Sequence, residues 1–118
     1  MAQQRIDLKK IADVTIAACR DMKLNDDLVI QEWGDQLLGL LDDKACRKLL
    51  VNFEKVLFMS SSALRALITL NKKVREVGAT LFLCGIDENI MEAFRITRLD
   101  NVFQIRRTED DGIRSFQQ

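Results

Sequence analysis

The sequence predicts an α/β fold, with a mixed sheet of about four to five strands and about four helices. Three observations support this prediction. The first two are the largely apolar runs of strand length Lys48 to Phe53 and Thr80 to Cys84, which are typical of strands covered on both faces. The third is an amphipathic helix pattern from Ser61 to Val77, which Gly78 ends. Because a strand, a helix and a strand in this order form a right-handed parallel crossover, we place this unit at the centre of the sheet.

Two strands and a helix are predicted before this unit. Ile6 to Lys10 alternates apolar and polar residues, and Val14 to Cys19 follows closely, as in a hairpin. Asn25 to Asp27 offers helix caps, and an apolar stripe continues from there to about Asp42. We expect Trp33 to anchor this first helix in the core.

The C-terminal part predicts a third helix, a last strand and a short terminal helix. The third helix begins near Asp87 or Asn89, and its inward residues are Ile90, Met91, Phe94 and Ile96. Val102 to Ile105 is predicted as a short edge strand, and Glu109 to Phe116 as a helical turn or short helix. The periodic apolar residues Leu64, Leu67, Phe82 and Phe94 are predicted to be core.

Length and charge restrict the class of protein. The 118 residues favour a single domain over 1–118. Eighteen lysine and arginine residues balance eighteen aspartate and glutamate residues, without a long basic run, so we expect neither nucleic acid nor membrane as a partner. No apolar run approaches the roughly 20 residues of a bilayer span, so we expect a soluble, cytoplasmic protein.

Composition also restricts the chemistry. The chain has no histidine, which excludes a Ser-His-Asp triad, a Cys-His pair and a histidine-ligated metal site. The three cysteines are widely spaced and fit reduced core thiols. No glycine-rich phosphate loop is present, so no cofactor is expected. An enzyme stays open only through Thr69 and Lys72, a hydroxyl and an amine at helical spacing, and we predict a protein that is not an enzyme.

Three hydroxyls, Ser60 to Ser62, stand where the helix before Val77 begins. A helix start leaves backbone N–H groups without partners and carries partial positive charge, so it can hold a phosphate group. Serine is also a common helix cap. From the residues alone, both a cap and a phosphorylated switch stay open.

Three segments resemble, in order and spacing, the anti-sigma factor antagonists, which are single-domain members of the STAS group (sulphate transporter and anti-sigma antagonist). Val56 to Leu64 resembles the family's signature, in which an apolar strand and turn lead to an acidic residue, a phosphorylatable serine, small residues and leucine. Val77 to Cys84 is similar to its helix, glycine and strand step, and Thr97 to Phe103 to its C-terminal ending. The resemblance covers Ile6 to Ile105 and implies the STAS fold.

The resemblance implies a regulatory binding function. Ser61 matches the serine that a partner kinase of the anti-sigma factor type phosphorylates, with Ser60 and Ser62 as the next candidates. Unphosphorylated family members bind that kinase and release a sigma factor, and phosphorylation abolishes the binding. The implied partners are an anti-sigma factor with serine kinase activity and a cognate phosphatase, in a bacterial system that regulates transcription. The predicted partner-binding residues are Met59, Ser60, Ser61, Ser62 and Arg65.

The chain departs from the family pattern at two positions. Ser60 stands where the family usually has aspartate, and Asn52 replaces an aspartate common in the preceding strand. The missing acid at Ser60 supports a second hypothesis, a STAS interaction or scaffold module that is never phosphorylated.

Overall fold

The computed structural model describes residues 2–117, which form one five-stranded sheet, one two-stranded sheet and four α-helices. The strands are β1 (Ile6–Ile11), β2 (Val14–Cys19), β3 (Lys23–Leu24), β4 (Lys48–Asn52), β5 (Phe58–Met59), β6 (Thr80–Cys84) and β7 (Ile105–Arg106). The helices are α1 (Asp27–Leu40), α2 (Ser61–Val77), α3 (Glu88–Ile96) and α4 (Glu109–Ser115), and a 3-10 turn spans Leu99–Asn101. The predicted domain over 1–118 also includes residues 1 and 118, which lie outside the described residues.

The five-stranded sheet has the order β1-β2-β4-β6-β7. β1 and β2 form the predicted antiparallel hairpin, and the other neighbours are parallel. The parallel pairing of β4 with β6, across α2, places Leu50 beside Phe82. The predicted α/β class with a mixed sheet is therefore confirmed, including the central strand, helix and strand.

Two apolar clusters lie on opposite faces of this sheet. Leu49 and Val51 of β4 belong to the larger cluster, with the buried faces of α1, α2 and α3, and Leu50 belongs to the smaller one under α4. In the larger cluster Trp33 is fully buried and meets Phe53 edge to face, with ring centroids 6.3 Å apart. The four core residues predicted in α2, β6 and α3, namely Leu64, Leu67, Phe82 and Phe94, are all buried. β4 is therefore covered on both faces, as its apolar sequence predicts.

The chain after α3 differs from the prediction. Of the strand predicted over Val102 to Ile105, only Ile105 lies in a strand, because the amides of Val102 and Phe103 both donate to the Leu99 carbonyl in a tight turn. That turn brings the Phe103 ring to 6.0 Å from the Phe94 ring, and pairing with β6 begins only at Ile105. The predicted edge strand was therefore placed too early, because the Phe103 side chain packs in the core and Phe103 is not part of the pairing with β6.

One apolar side chain and two short strands differ from the prediction. Ile96 was predicted to face inward but is 74% exposed at the end of α3. The two-residue strands β3 and β5 were not predicted. Among residues 2–117, no helix has both the length and the apolar character needed to cross a bilayer.

Candidate functional site

The start of α2 is positioned by the two-stranded sheet. β3 and β5 pair in parallel, with Lys23 beside Phe58 and Leu24 beside Met59. The Ser60 amide then donates to the Leu24 carbonyl at 2.9 Å. Since each of these strands runs into a helix within a few residues, α1 and α2 begin next to paired strands, and the two helices pack against each other.

Ser60 is the N-cap of α2. Its backbone is extended, with φ −79° and ψ 169°, and its Oγ accepts a hydrogen bond from the Ala63 amide at 3.4 Å. Its carbonyl accepts from the Leu64 amide at 3.1 Å, which begins the helical ladder. A side-chain cap of this kind contributes about 1 kcal/mol. The Ser60 hydroxyl is therefore engaged by the fold.

Ser61 differs from its neighbour in both exposure and bonding. It is the first residue of α2 and is exposed, and within residues 2–117 its hydroxyl has no hydrogen-bond partner. Its Oγ can therefore reach another protein without a change in the fold. Of the three serines, this hydroxyl is the one that the structure leaves free.

Ser62 and Arg65 form a weak contact on the same helix. Arg65 Nη2 donates to Ser62 Oγ at 3.4 Å, and Ser62 is half-buried while Arg65 is exposed. Residues four apart on a helix lie on one face, so the Arg65 guanidinium also lies within reach of a group attached to Ser61. The arrangement brings together all three serines and the arginine predicted for the site.

The charge at the start of α2 suits an added anion. The first turn consists of the uncharged residues Ser61, Ser62, Ala63 and Leu64. The first turns of α1, α3 and α4 instead contain the acids Asp27, Glu88 and Glu109. A helix start carries roughly half a positive elementary charge, which is not offset within the first turn of α2.

An exposed apolar surface adjoins the serines. The amides of Leu57 and Phe58 donate to the Met22 carbonyl at 2.8 and 3.2 Å, so these three residues are neighbours. They are 53%, 49% and 57% exposed respectively, and we call them the apolar rim. Met59, predicted to bind a partner, is buried at 9% and packs in the core. Phe58 and Met22 were not predicted from the sequence as part of the site, because the strand pairing that brings them together is only two residues long.

Asn52, the second departure from the family pattern, belongs to a different part of the molecule. Its Nδ2 donates to Glu109 Oε2 at 2.8 Å, and Lys9 Nζ lies 2.6 Å from Oε1 of the same carboxylate. Burial by itself raises the pKa of Glu109, but the bonds from Lys9 and Asn52 outweigh it and hold the pKa below its ordinary value of 4.5. This cluster links β1, β4 and α4.

The remaining chemical candidates have structural roles. Thr69 Oγ1 donates to the Arg65 carbonyl of its own helix at 3.2 Å, so this hydroxyl is not paired with Lys72 as a nucleophile. Burial raises the pKa of the thiols of Cys19 and Cys84 to about 12, which keeps them protonated. Across residues 2–117, no group of three or more acidic or cysteine side chains is arranged to hold a metal ion.

The family is decided by one comparison. The family model of the STAS domain matches residues 25–112. The chain belongs to the STAS domain family. The match includes the start of α2 and the contact of Asn52 with Glu109, and it confirms the membership that the three sequence segments predict.

A relative and solved structures agree with this membership. BtrV of Bordetella bronchiseptica, described as a candidate anti-sigma factor antagonist, is 24% identical over 74 residues, which is 63% of this chain and 64% of BtrV. The match thus spans less than two thirds of that relative. An anti-sigma factor antagonist (STAS) domain protein from Planctomyces limnophilus superposes with a TM-score of 0.82 at 21% identity, covering 93% of this chain and 95% of that chain.

The Bacillus cell fate determinant SpoIIAA also shares the fold. Its phosphorylated form superposes with a TM-score of 0.71 at 16% identity, covering 94% of this STAS domain and 98% of that chain. A second solved structure, of the unphosphorylated form, names SpoIIAA as an anti-sigma factor antagonist. At identities this low, the likeness to both solved structures concerns the fold alone.

Proposed function

We propose that this STAS domain is an anti-sigma factor antagonist, which sequesters an anti-sigma factor with serine kinase activity and is switched off when that kinase phosphorylates Ser61. The observation that carries the proposal is the exposed, unbonded Ser61 hydroxyl on the first turn of α2. The relatives named as antagonists supply the kind of partner. In this function the domain regulates transcription in a bacterial cytoplasm, and a cognate phosphatase restores the binding form.

The switch acts at the interface and not through unfolding. A phosphoserine adds about −1.5 to −2 charges at neutral pH. At Ser61 this charge faces the positive end of the α2 dipole and the Arg65 guanidinium, so the fold accommodates it. A partner that packs on the same turn instead meets a new dianion, which costs desolvation and repels its acidic groups.

The binding surface combines the helix start with the apolar rim. Ser60, Ser61, Ser62 and Arg65 supply its polar part, and Met59 supports it from the core. The apolar rim adds desolvated contact area beside the serines, and aromatic residues such as Phe58 are enriched at protein interfaces. Phosphate at Ser61 then lies next to the apolar contacts and disturbs them.

The first experiment maps the phosphate. The purified domain is incubated with the candidate anti-sigma kinase and ATP, and the phosphopeptides are identified by mass spectrometry. We expect phosphate on Ser61 and its loss in Ser61→Ala, with the circular dichroism of the fold unchanged. Ser62→Ala is the matched control and should still be phosphorylated, because it leaves the Ser61 hydroxyl in place.

The second experiment measures the effect of charge on binding. The affinity for the anti-sigma partner, which binds the unphosphorylated domain, is measured by calorimetry. Ser61→Asp should weaken this complex at least tenfold, while Ser61→Ala should bind like the native protein. Equal affinity for both variants would argue against a switch that acts through charge.

A STAS scaffold that is never phosphorylated is the second candidate function. Ser60, in place of the family's aspartate, favours it, since the first turn of α2 then offers no carboxylate of its own near the phosphoacceptor. Under this function the partner binds with full affinity, and no phosphate appears on Ser60, Ser61 or Ser62 after incubation with kinase and ATP.

A further inference from the structure

β1 is an outer strand of the five-stranded sheet, and it pairs only with β2 among the described residues. Five of its six residues are exposed, including Leu8 at 53% and Ile11 at 41%. Such an edge presents backbone N–H and C=O groups that can pair with another strand. We propose that β1 pairs antiparallel with β1 of a second copy of this chain, in the register that places Leu8 opposite Leu8.

The hydrogen bonds of the hairpin decide which residues face outward. The Arg20 amide donates to the Arg5 carbonyl at 3.1 Å, next to the paired residues Ile6 and Cys19. Bonding alternates along an antiparallel pair, so the odd-numbered residues of β1 bond to β2. The N–H and C=O groups of Ile6, Leu8 and Lys10 therefore point to the open edge.

Symmetry then leaves few registers. If the two-fold axis fell between two residues, each residue whose backbone N–H and C=O point to the open edge would lie opposite a residue of the other copy whose groups point toward β2. Those two residues could not exchange hydrogen bonds, so no ladder would form. The axis must pass through a residue. With the axis at Leu8, the outward residues meet each other: Leu8 pairs with Leu8, and Ile6 pairs with Lys10.

Charge selects among the registers centred on Asp7, Leu8 and Lys9. With the axis at Leu8, Asp7 of each copy lies opposite Lys9 of the other, which gives two opposite-charge pairs. A two-fold axis at Asp7 would place the Asp7 carboxylates of the two copies opposite each other, and an axis at Lys9 would place the two Lys9 ammonium groups opposite each other. Directly opposed like charges destabilise a sheet pair, whereas opposite charges stabilise it.

The side chains on both faces fit this register. Asp7 and Lys9 lie on the α4 side, where Lys9 already meets Glu109 at 2.6 Å and Asp7 lies 3.6 Å from Arg20. Joining the copies extends these contacts into a row of alternating charge. On the other face the two Leu8 side chains meet and cover each other, beside the half-buried Leu40.

One existing contact competes with the pairing. Gln4 Nε2 donates to the Ile6 carbonyl at 2.8 Å, which is the group that Lys10 of the second copy would use. A carbonyl has two lone pairs and can accept both bonds. An edge of this length lies at the small end of protein interfaces, below about 1,200 Å², so we expect a weak dimer that forms at high protein concentration.

A charge exchange tests the register. Native protein in sedimentation equilibrium should show a mass that rises with concentration from 13.5 kDa toward twice that value. Asp7→Lys and Lys9→Asp should each weaken self-association at least tenfold, because each creates like-charge pairs across the axis. An equimolar mixture of the two variants should associate again, since every opposed pair then has opposite charge.

A second measurement does not depend on charge. Leu8→Cys should form a disulfide-linked dimer on mild oxidation, because the paired residues face each other, and the native cysteines are all buried. Lys10→Cys is the matched control and should cross-link poorly, since the register separates the two copies of that position by four residues. Native protein that stays monomeric near 1 mM, or a charge-swapped mixture that does not associate, would overturn the proposal.

Discussion

Asn52 Nδ2 donates a hydrogen bond to Glu109 Oε2 at 2.8 Å and joins the end of β4 to the start of α4. Asn52 Oδ1 accepts from the Glu54 amide at 2.8 Å, so both ends of the side-chain amide are used. An aspartate here could not donate to Glu109 and would face it with like charge. The contact gives a physical reason for asparagine where the family commonly carries aspartate.

Asn52→Asp should therefore destabilise the fold. Asn52 is 6% exposed, so the new carboxylate would lie buried beside Glu109. We expect a loss of about 1–3 kcal/mol in the free energy of unfolding at pH 7, measured by urea denaturation. The control is Asn52→Asp combined with Glu109→Gln, which removes the second charge and should recover part of the loss.

The pH dependence of the same pair tests the cause. In the native protein the lowered pKa of Glu109 stabilises the fold above pH 4.5, and this contribution is lost as the pH falls below that value. In Asn52→Asp one carboxyl of the pair takes up a proton more readily, so acid relieves the repulsion. The stability difference between the two proteins should narrow from pH 7 toward pH 4, and a constant difference would contradict the electrostatic explanation.

Gly85→Ala should also destabilise the fold, at the turn that faces Asn52. Gly85 has φ 70°, and a Cβ there would lie 3.0 Å from Asn52 Oδ1 and 3.1 Å from the Glu54 amide nitrogen. We expect a loss of about 2 kcal/mol by urea denaturation. Gly39→Ala in α1 is the matched control. A Cβ at Gly39 would meet no other part of residues 2–117 within 4 Å, so the free energy of unfolding should rise by about 0.5–1 kcal/mol.

Phe58→Ala should weaken partner binding and leave the fold largely intact. The ring is 49% exposed in the apolar rim beside the serines, so its loss removes interface area more than core packing. We expect at least a fivefold weaker complex with the anti-sigma partner by calorimetry. Val102→Ala is the control, since Val102 is similarly exposed at 41% but adjoins the other end of α2. Equal losses for both variants would argue against a localised rim.

Ser60→Asp should raise the rate of phosphorylation at Ser61. Aspartate also caps helices well, so the start of α2 keeps its geometry while the family's acidic residue is restored. The rate is measured with the cognate kinase and ATP, against Ser60→Ala, which removes the cap at a cost of about 1 kcal/mol. A slower reaction in Ser60→Asp would indicate that this kinase reads a different pattern.

Much of the fold could be predicted because its elements carry their own periodicity. The apolar runs of β4 and β6 and the stripe of α2 fix both the type of element and the central parallel unit. The assignment of Ser61 as the phosphoacceptor stays a prediction from its place in the family pattern. The structure adds that its hydroxyl is exposed next to the capping Ser60.

The sequence by itself determined the class of fold, the family and the serine at the start of α2, because local periodicity and short motifs encode them. Only the tertiary structure decided which side chains surround that serine. β3 and β5 have two residues each, too few to show a period, and their pairing alone sets the apolar rim. The contact of Asn52 with Glu109 likewise joins residues far apart in the chain, and no local pattern records such a pair.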